Sequence, residues 1–198
     1  MQVIRKSSAE EMVACFLQTE LASERWGAGI RGVLVRLGEP ESLLRVPDLA
    51  DERGNRARRA VLAATRGYGE DRELFEHFPA TVRWVWARLS PAELATVRYI
   101  EYSYWNELSG GSRLPADAAP RILAGVQPWG VSNERFSRAA LELARGGEFP
   151  PLILAGPSRT QLVCLEGNLR LTAYALAGFP RHVECLVGTA QGLRRWAA

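Results

Sequence analysis

The residues with the most chemical content lie together in Leu165-Glu166-Gly167-Asn168-Leu169-Arg170-Leu171-Thr172-Ala173-Tyr174. QLVCLEG, residues 161–167, reads as a strand, and NLRLTAYALA, residues 168–177, as a helix ending at Gly178. Where a strand turns through glycine into a helix, the first helical amides lack intrahelical acceptors and lie at the positive end of the dipole. Gly167 lets the backbone take a positive φ or pass close to a ligand. Arg170, in the first turn, carries a planar fork suited to phosphate or carboxylate oxygens. Glu166 adds a carboxylate able to accept a proton or hold a metal ion. The pattern is that of an anion site. Local roles are open to the same residues: Glu166 paired with Arg170, Asn168 as a cap, Thr172 and Tyr174 packed or hydrogen-bonded in place.

A second polar segment is YWNELSGGSR, Tyr104 to Arg113. Glu107, Ser109, Ser112 and Arg113 stand at a helix end, and Gly110 and Gly111 permit close approach. It reads as a loop closing over a ligand or as a connector.

Composition excludes several chemistries. The chain has 198 residues, 47% of them hydrophobic and 24% charged, enough for a core and not the profile of a disordered chain. Lys6 is the single lysine, so the net charge of +3 is almost all arginine. No Gly-Lys-Ser/Thr P-loop and no buried Schiff-base lysine is available, so phosphates would fall to arginine and backbone amides. The 3 cysteines, Cys15, Cys164 and Cys185, form no CxxC pair and read as reduced, buried thiols. The histidines, His77 and His182, are far apart, against a multi-histidine metal site or a triad. No apolar run is long enough to span a membrane, and the N-terminus has no apolar secretory core, so the chain reads as soluble and cytoplasmic.

The elements that position these residues follow from periodicity and punctuation. Residues 7–36 read as helix, started by Ser8 with Glu11 and interrupted near Gly27 and Gly29. Residues 37–47 read as loop and 48–65 as a second helix. Arg53, Arg56, Arg58 and Arg59 in that helix are either a nucleic-acid or phosphate stripe or a solvated face. Phe75, Phe78, Trp84 and Trp86 are either a stacking platform or core. Ser90-Pro91-Ala92-Glu93 starts a helix expected to run to about Leu108, with Leu94, Val97, Ile100 and Tyr104 on its buried face. Helices follow over 115–124 and from Ser132 to Gly146. Strands are expected over 149–156, 161–167 and 182–188, then a short amphipathic end. The expected fold is one compact α+β unit: a helical region over 1–104 packed on a small mixed-sheet core over 105–198.

The stretch from Phe149 to Gly188 resembles the core of the ParB/sulfiredoxin-like superfamily. The likeness rests on Pro150-Pro151 before a strand, a strand over Leu162 to Glu166, and Gly167-Asn168-Leu169-Arg170 as a Gly-x-x-Arg helix start. It continues through an alanine-rich helix over Ala173 to Gly178 and a closing strand over Val183 to Val187. It covers about residues 105–188, and Arg113 falls where that superfamily has an upstream arginine. The resemblance implies a nucleoside triphosphate held at the Gly-x-x-Arg turn, usually with magnesium. Gly167, Asn168, Leu169, Ser112, Arg113 and Thr172 would then bind the nucleotide, Arg170 and Glu166 would be catalytic, and Glu166 would hold Mg2+. Two departures narrow the chemistry. Sulfiredoxins carry cysteine directly after the motif glycine, where this chain has Asn168. ParB proteins continue into a further phosphate motif and a DNA-binding helix-turn-helix, whereas this sequence ends about ten residues after the core.

Three classes of function stand. The first is a nucleotide-dependent phosphotransferase acting on a small molecule, or a nucleotide hydrolase, with catalysis by positioning and charge stabilisation. The second is a nucleic-acid-binding or nuclease-like protein, resting on the arginine excess. The third is a non-catalytic regulatory or interaction protein on the same fold.

Overall fold

Ser8 starts the first helix as its spacing from Glu11 predicts, its side chain accepting from the Glu11 amide at 3.1 Å. In the computed structural model, which describes residues 1–197, the chain forms two units: Ser7–Trp84, and Met1–Lys6 together with the chain from Val85 onward.

The first unit holds α1 (Ala9–Leu21), α2 (Gly27–Leu37), α3 (Ser42–Arg45) and α4 (Glu52–Arg66). The expected helix over 7–36 is thus two helices, and the expected loop over 37–47 contains α3. A Cβ on Gly27 would stand 2.6 Å from the Leu21 carbonyl oxygen, so the turn between α1 and α2 closes only on glycine. Asp51 caps α4, accepting from the Arg53 amide at 3.0 Å. Phe16, Leu17, Ile30, Leu34, Leu62 and Phe75 are buried.

The arginine row on α4 is engaged within this unit and is not a bare stripe. Arg58 is 2% exposed and donates to the Leu43 and Asp48 carbonyls and to Asn55 Oδ1. Arg53 pairs with Glu39, Arg59 with Glu10, and Arg56 loosely with Glu52 at 3.8 Å. The aromatic cluster divides. Phe75 is buried and meets Phe78 and Tyr68 edge-on, as in a core, and Trp84 is buried as well. Trp86 belongs to the second unit.

The second unit is built on a sheet whose six strands, among the described residues, run in the order β1-β2-β6-β4-β5-β3. They are β1 (Gln2–Lys6), β2 (Arg83–Leu89), β3 (Arg98–Tyr99), β4 (Leu152–Ser158), β5 (Gln161–Glu166) and β6 (Val183–Thr189). Helices α5 (Pro91–Ala95), α6 (Ser103–Leu108), α7 (Pro115–Leu123), α8 (Glu134–Ala144), α9 (Asn168–Leu176) and α10 (Arg194–Ala197) complete it. The fold is α+β with a mixed sheet: β1 is antiparallel to β2, β4 antiparallel to β5 and parallel to β6, and β3 parallel to β5.

Two expectations are corrected. The region over 1–104 is not wholly helical, because β1, β2 and β3 come from it and join the sheet. The helix expected from Ser90 to Leu108 is α5, then β3, then α6. Its start is as expected, with Ser90 and Glu93 closing a capping box. It stops at Thr96, whose hydroxyl donates to the Glu93 carbonyl at 2.8 Å.

The sheet's buried face carries Leu89, Tyr99, Leu154 and Cys164, in one core with Phe136 of α8 and Leu171 of α9. The register places one end of the sheet unambiguously. Ile153 stands opposite Glu166 and Leu152 opposite Cys185, so the starts of β4 and β6 and the end of β5 share that end. Tyr99 at the end of β3 pairs with Cys164 beside it. Helix α9 springs from this end and packs against α7 and α8.

Candidate functional site at the β5–α9 turn

Gly167 takes φ +104°, a conformation that L side chains rarely adopt. A Cβ there would lie 2.6 Å from Leu152 Cδ2, 2.8 Å from Arg170 Nη2 and 3.1 Å from Arg170 Nε. The Arg170 guanidinium therefore rests on the glycine, in space that any side chain would fill. Its Nη2 donates to Glu166 Oε2 at 2.8 Å, an i,i+4 pair across the turn. Arg170 is 8% exposed, and its Nε, buried, has no acceptor. The intrahelical ladder of α9 begins with the Leu171 amide donating to the Gly167 carbonyl at 2.8 Å. The amides of residues 168–170 lie ahead of it, at the positive end of the dipole.

Helix α9 is held in place by β3. The buried Thr172 hydroxyl shares a 2.7 Å hydrogen bond with the Tyr99 hydroxyl and also donates to the Asn168 carbonyl at 2.8 Å. Asn168 Oδ1 accepts from the Ile100 amide at 3.4 Å. Burial pushes the Tyr99 phenol above its ordinary value, against the opposing effect of its bond to Thr172. Neither Tyr99 nor Ile100 is assigned to the turn by the sequence, which places Ile100 on the buried face of a helix and Tyr99 in an aromatic group with Tyr102, Tyr104 and Trp105 that is either packing or a partner surface.

The sequence candidates fall into two groups. Glu166, Gly167, Asn168, Leu169, Arg170 and Thr172 are contiguous at the start of α9, with Leu169 exposed and Thr172 fully buried. Ser112 and Arg113 are engaged elsewhere. Arg113 is 6% exposed, with Nε donating to the Tyr99 carbonyl at 3.1 Å and Nη2 to the Trp196 carbonyl at 2.7 Å. Its Nη1 stands 3.9 Å from Glu101, and desolvation holds its guanidinium below the ordinary value. Ser112 Oγ donates to the Ser109 carbonyl and accepts from the Leu114 amide. These contacts make Arg113 a brace for β3, so it supports the turn through Tyr99.

The two cysteines nearest the turn are buried. Burial pushes the Cys164 thiol well up, and Cys185 up to about 12. Neither supplies a thiolate near neutral pH. Among the described residues no group of three or more His, Cys, Asp or Glu side chains is placed to hold a metal ion. No helix of the described residues is long and apolar enough to cross a membrane.

The arrangement is a helix N-terminus, a glycine without which the arginine could not lie where it does, and a carboxylate that neutralises that arginine. It is suited to exchanging one anionic partner of Arg170 for another. Comparison of the chain with protein-family models, curated proteins and solved structures found no match.

Proposed function

We propose that this chain binds a nucleoside triphosphate by its phosphates at the β5–α9 turn and works in the cytoplasm as a small-molecule phosphotransferase or a nucleotide hydrolase. The observation that carries the reading is Arg170, buried at a helix N-terminus, resting on Gly167, with its Nε lacking an acceptor. The resemblance of Gly167-Asn168-Leu169-Arg170 to the Gly-x-x-Arg turn of the ParB/sulfiredoxin-like superfamily supports it. A phosphate entering here replaces Glu166 on the guanidinium fork and accepts from the amides of residues 168–170. Glu166, released, faces the reacting end as a base. Catalysis would come from fixed charge and positioning, with no covalent step on the protein.

Magnesium fits only in part. Glu166 offers one carboxylate, and magnesium is commonly held by one or two carboxylates with the substrate's phosphates supplying the rest. Here the ion would arrive with the nucleotide, where it would neutralise phosphate charge.

The test is thermal stability with ATP, CTP and GTP, each with magnesium, on the wild type and Arg170→Lys. A ligand at a hundred times its dissociation constant stabilises by about 2.7 kcal/mol. The wild type should gain an upward shift with at least one nucleotide, and Arg170→Lys, charged but without the fork, should lose most of it. No shift with any nucleotide on folded wild type refutes the proposal.

The closed Glu166–Arg170 pair favours one second reading: a regulatory protein that binds nucleotide without turning it over. Binding with no phosphate release, and no transfer to any acceptor in a metabolite panel, selects it. The α4 arginines do not favour the nucleic-acid reading, since Arg58 is buried on backbone carbonyls and Arg53 and Arg59 pair with Glu39 and Glu10.

A further inference from the structure

The sheet end that carries the β5–α9 turn also opens into a pocket of about 300 Å³. Its walls include Trp86 of β2, Phe149, Tyr174 of α9 and Arg181, with the carboxylates of Glu148 and Glu184. Phe149 and Tyr174 meet edge-on at 5.9 Å between ring centroids, and Arg5 lies over the Trp86 ring at 5.3 Å. The Trp86 indole N–H is buried without an acceptor. Glu184 is held by Arg88 at 2.5 Å, whereas Glu148 is exposed.

Two connections join this pocket to the turn. Tyr174 follows Arg170 by four residues, so both lie on one face of α9. Leu152, the nearest neighbour of a Cβ on Gly167, directly follows Pro151, which also lines the pocket. From Gly167 to Tyr174 is seven residues of helix, about 10 Å. That is the reach of a ribose and its phosphate chain. A pocket near 300 Å³ is at the small end for ligand sites, which run from about 300 to 1,000 Å³. It takes one ring system, not a whole nucleotide.

We propose that this pocket receives the base of a nucleotide whose phosphates lie at the β5–α9 turn, and that it selects rings bearing an exocyclic amine. This rests on the phosphate reading of the turn. The aromatic walls stack any base, worth about 1–3 kcal/mol. Selection comes from Glu148, which accepts from an amine and repels the carbonyl that uracil presents instead; Glu184 is already held by Arg88, and Arg181 already donates to the Gly147 carbonyl at 2.8 Å.

The experiment is calorimetric titration of the full chain with ATP, CTP, UTP and inorganic tripolyphosphate, each with magnesium. Wild type, Phe149→Ala and the surface variant Glu148→Gln are compared. ATP or CTP should bind at least ten-fold tighter than tripolyphosphate and than UTP. Phe149→Ala should erase that gain while leaving tripolyphosphate unchanged, and Glu148→Gln should narrow the preference over UTP. If Phe149→Ala does not fold, Glu148→Gln alone decides. Tripolyphosphate binding as tightly as every nucleotide overturns the base pocket and leaves the phosphate site standing. A preference over UTP that Glu148→Gln leaves untouched overturns the proposed selection. No binding of tripolyphosphate or any nucleotide overturns both.

Discussion

Gly167→Ala is the sharpest perturbation of the site, because it adds one methyl group in a place whose neighbours are known. Two costs follow. Alanine at φ +104° is strained, by about 1–3 kcal/mol. Its Cβ would also stand 2.6 Å from Leu152 Cδ2 and 2.8 Å from Arg170 Nη2, and the guanidinium must leave. That opens the pair with Glu166 and strands two mostly buried charges, and breaking a buried pair costs about 3–5 kcal/mol. Partial relaxation of Arg170 toward solvent lowers the sum, so a loss of about 3–5 kcal/mol is expected. Gly178→Ala is the matched control. Gly178 also has positive φ, +73°, at the other end of α9, but a Cβ there would meet nothing within 4 Å. It should lose only the strain, about 1–2 kcal/mol. Urea denaturation followed by circular dichroism gives both values. For a chain of this size the difference between the variants is worth roughly 5–10 °C in Tm. Equal losses for the two variants would show that Arg170 does not rest on Gly167, and the account of the site would fall with that.

Two further predictions concern the site's surroundings. Thr172→Val keeps the shape but leaves the buried Tyr99 hydroxyl without its 2.7 Å partner, so it should lose about 1–3 kcal/mol in urea denaturation. Tyr99→Phe should lose less, because Thr172 keeps its bond to the Asn168 carbonyl; the reverse order would refute the assignment. The thiols give a pH dependence. Burial raises Cys185 from 9.0 to about 12, so between those values the unfolded chain has released a proton that the folded chain retains. Stability from this group is full below about pH 9 and falls as pH climbs toward 12, with Cys164 acting in the same direction. Melting curves from pH 8 to 11 should fall less steeply for Cys185→Ala than for the wild type, and identical slopes would refute the shift.

The strand–glycine–helix unit of β5 and α9 was legible in the sequence because its signals are local. Glycine, the helical spacing of Leu171 and Ala175, and the apolar run before Glu166 each act within a few residues. The strands β1, β2 and β3 were not. All five residues of β1 are exposed, so no alternation marks it, and β3 has two residues and no pattern at all. Between Leu94 and Tyr104 the apolar spacing suits a helix as well as a short helix followed by a buried strand. The arginines show the other limit. Charge alone does not distinguish Arg58, buried under three acceptors, from Arg56 on the surface, because the difference lies in carbonyls that only the folded chain brings near.

The shortness of β3 has a consequence for motion. Two residues of ladder hold an edge strand weakly, and here side chains provide much of the restraint: Arg113 on the Tyr99 carbonyl, Thr172 on the Tyr99 hydroxyl, Asn168 on the Ile100 amide. Two of those three come from the first turn and a half of α9. The strand and the start of the helix thus belong to one cooperative opening unit, whose amides lose protection from solvent exchange together. A ligand that fixes the start of α9 would slow exchange across β3 as well, so its arrival would be registered at the margin of the sheet.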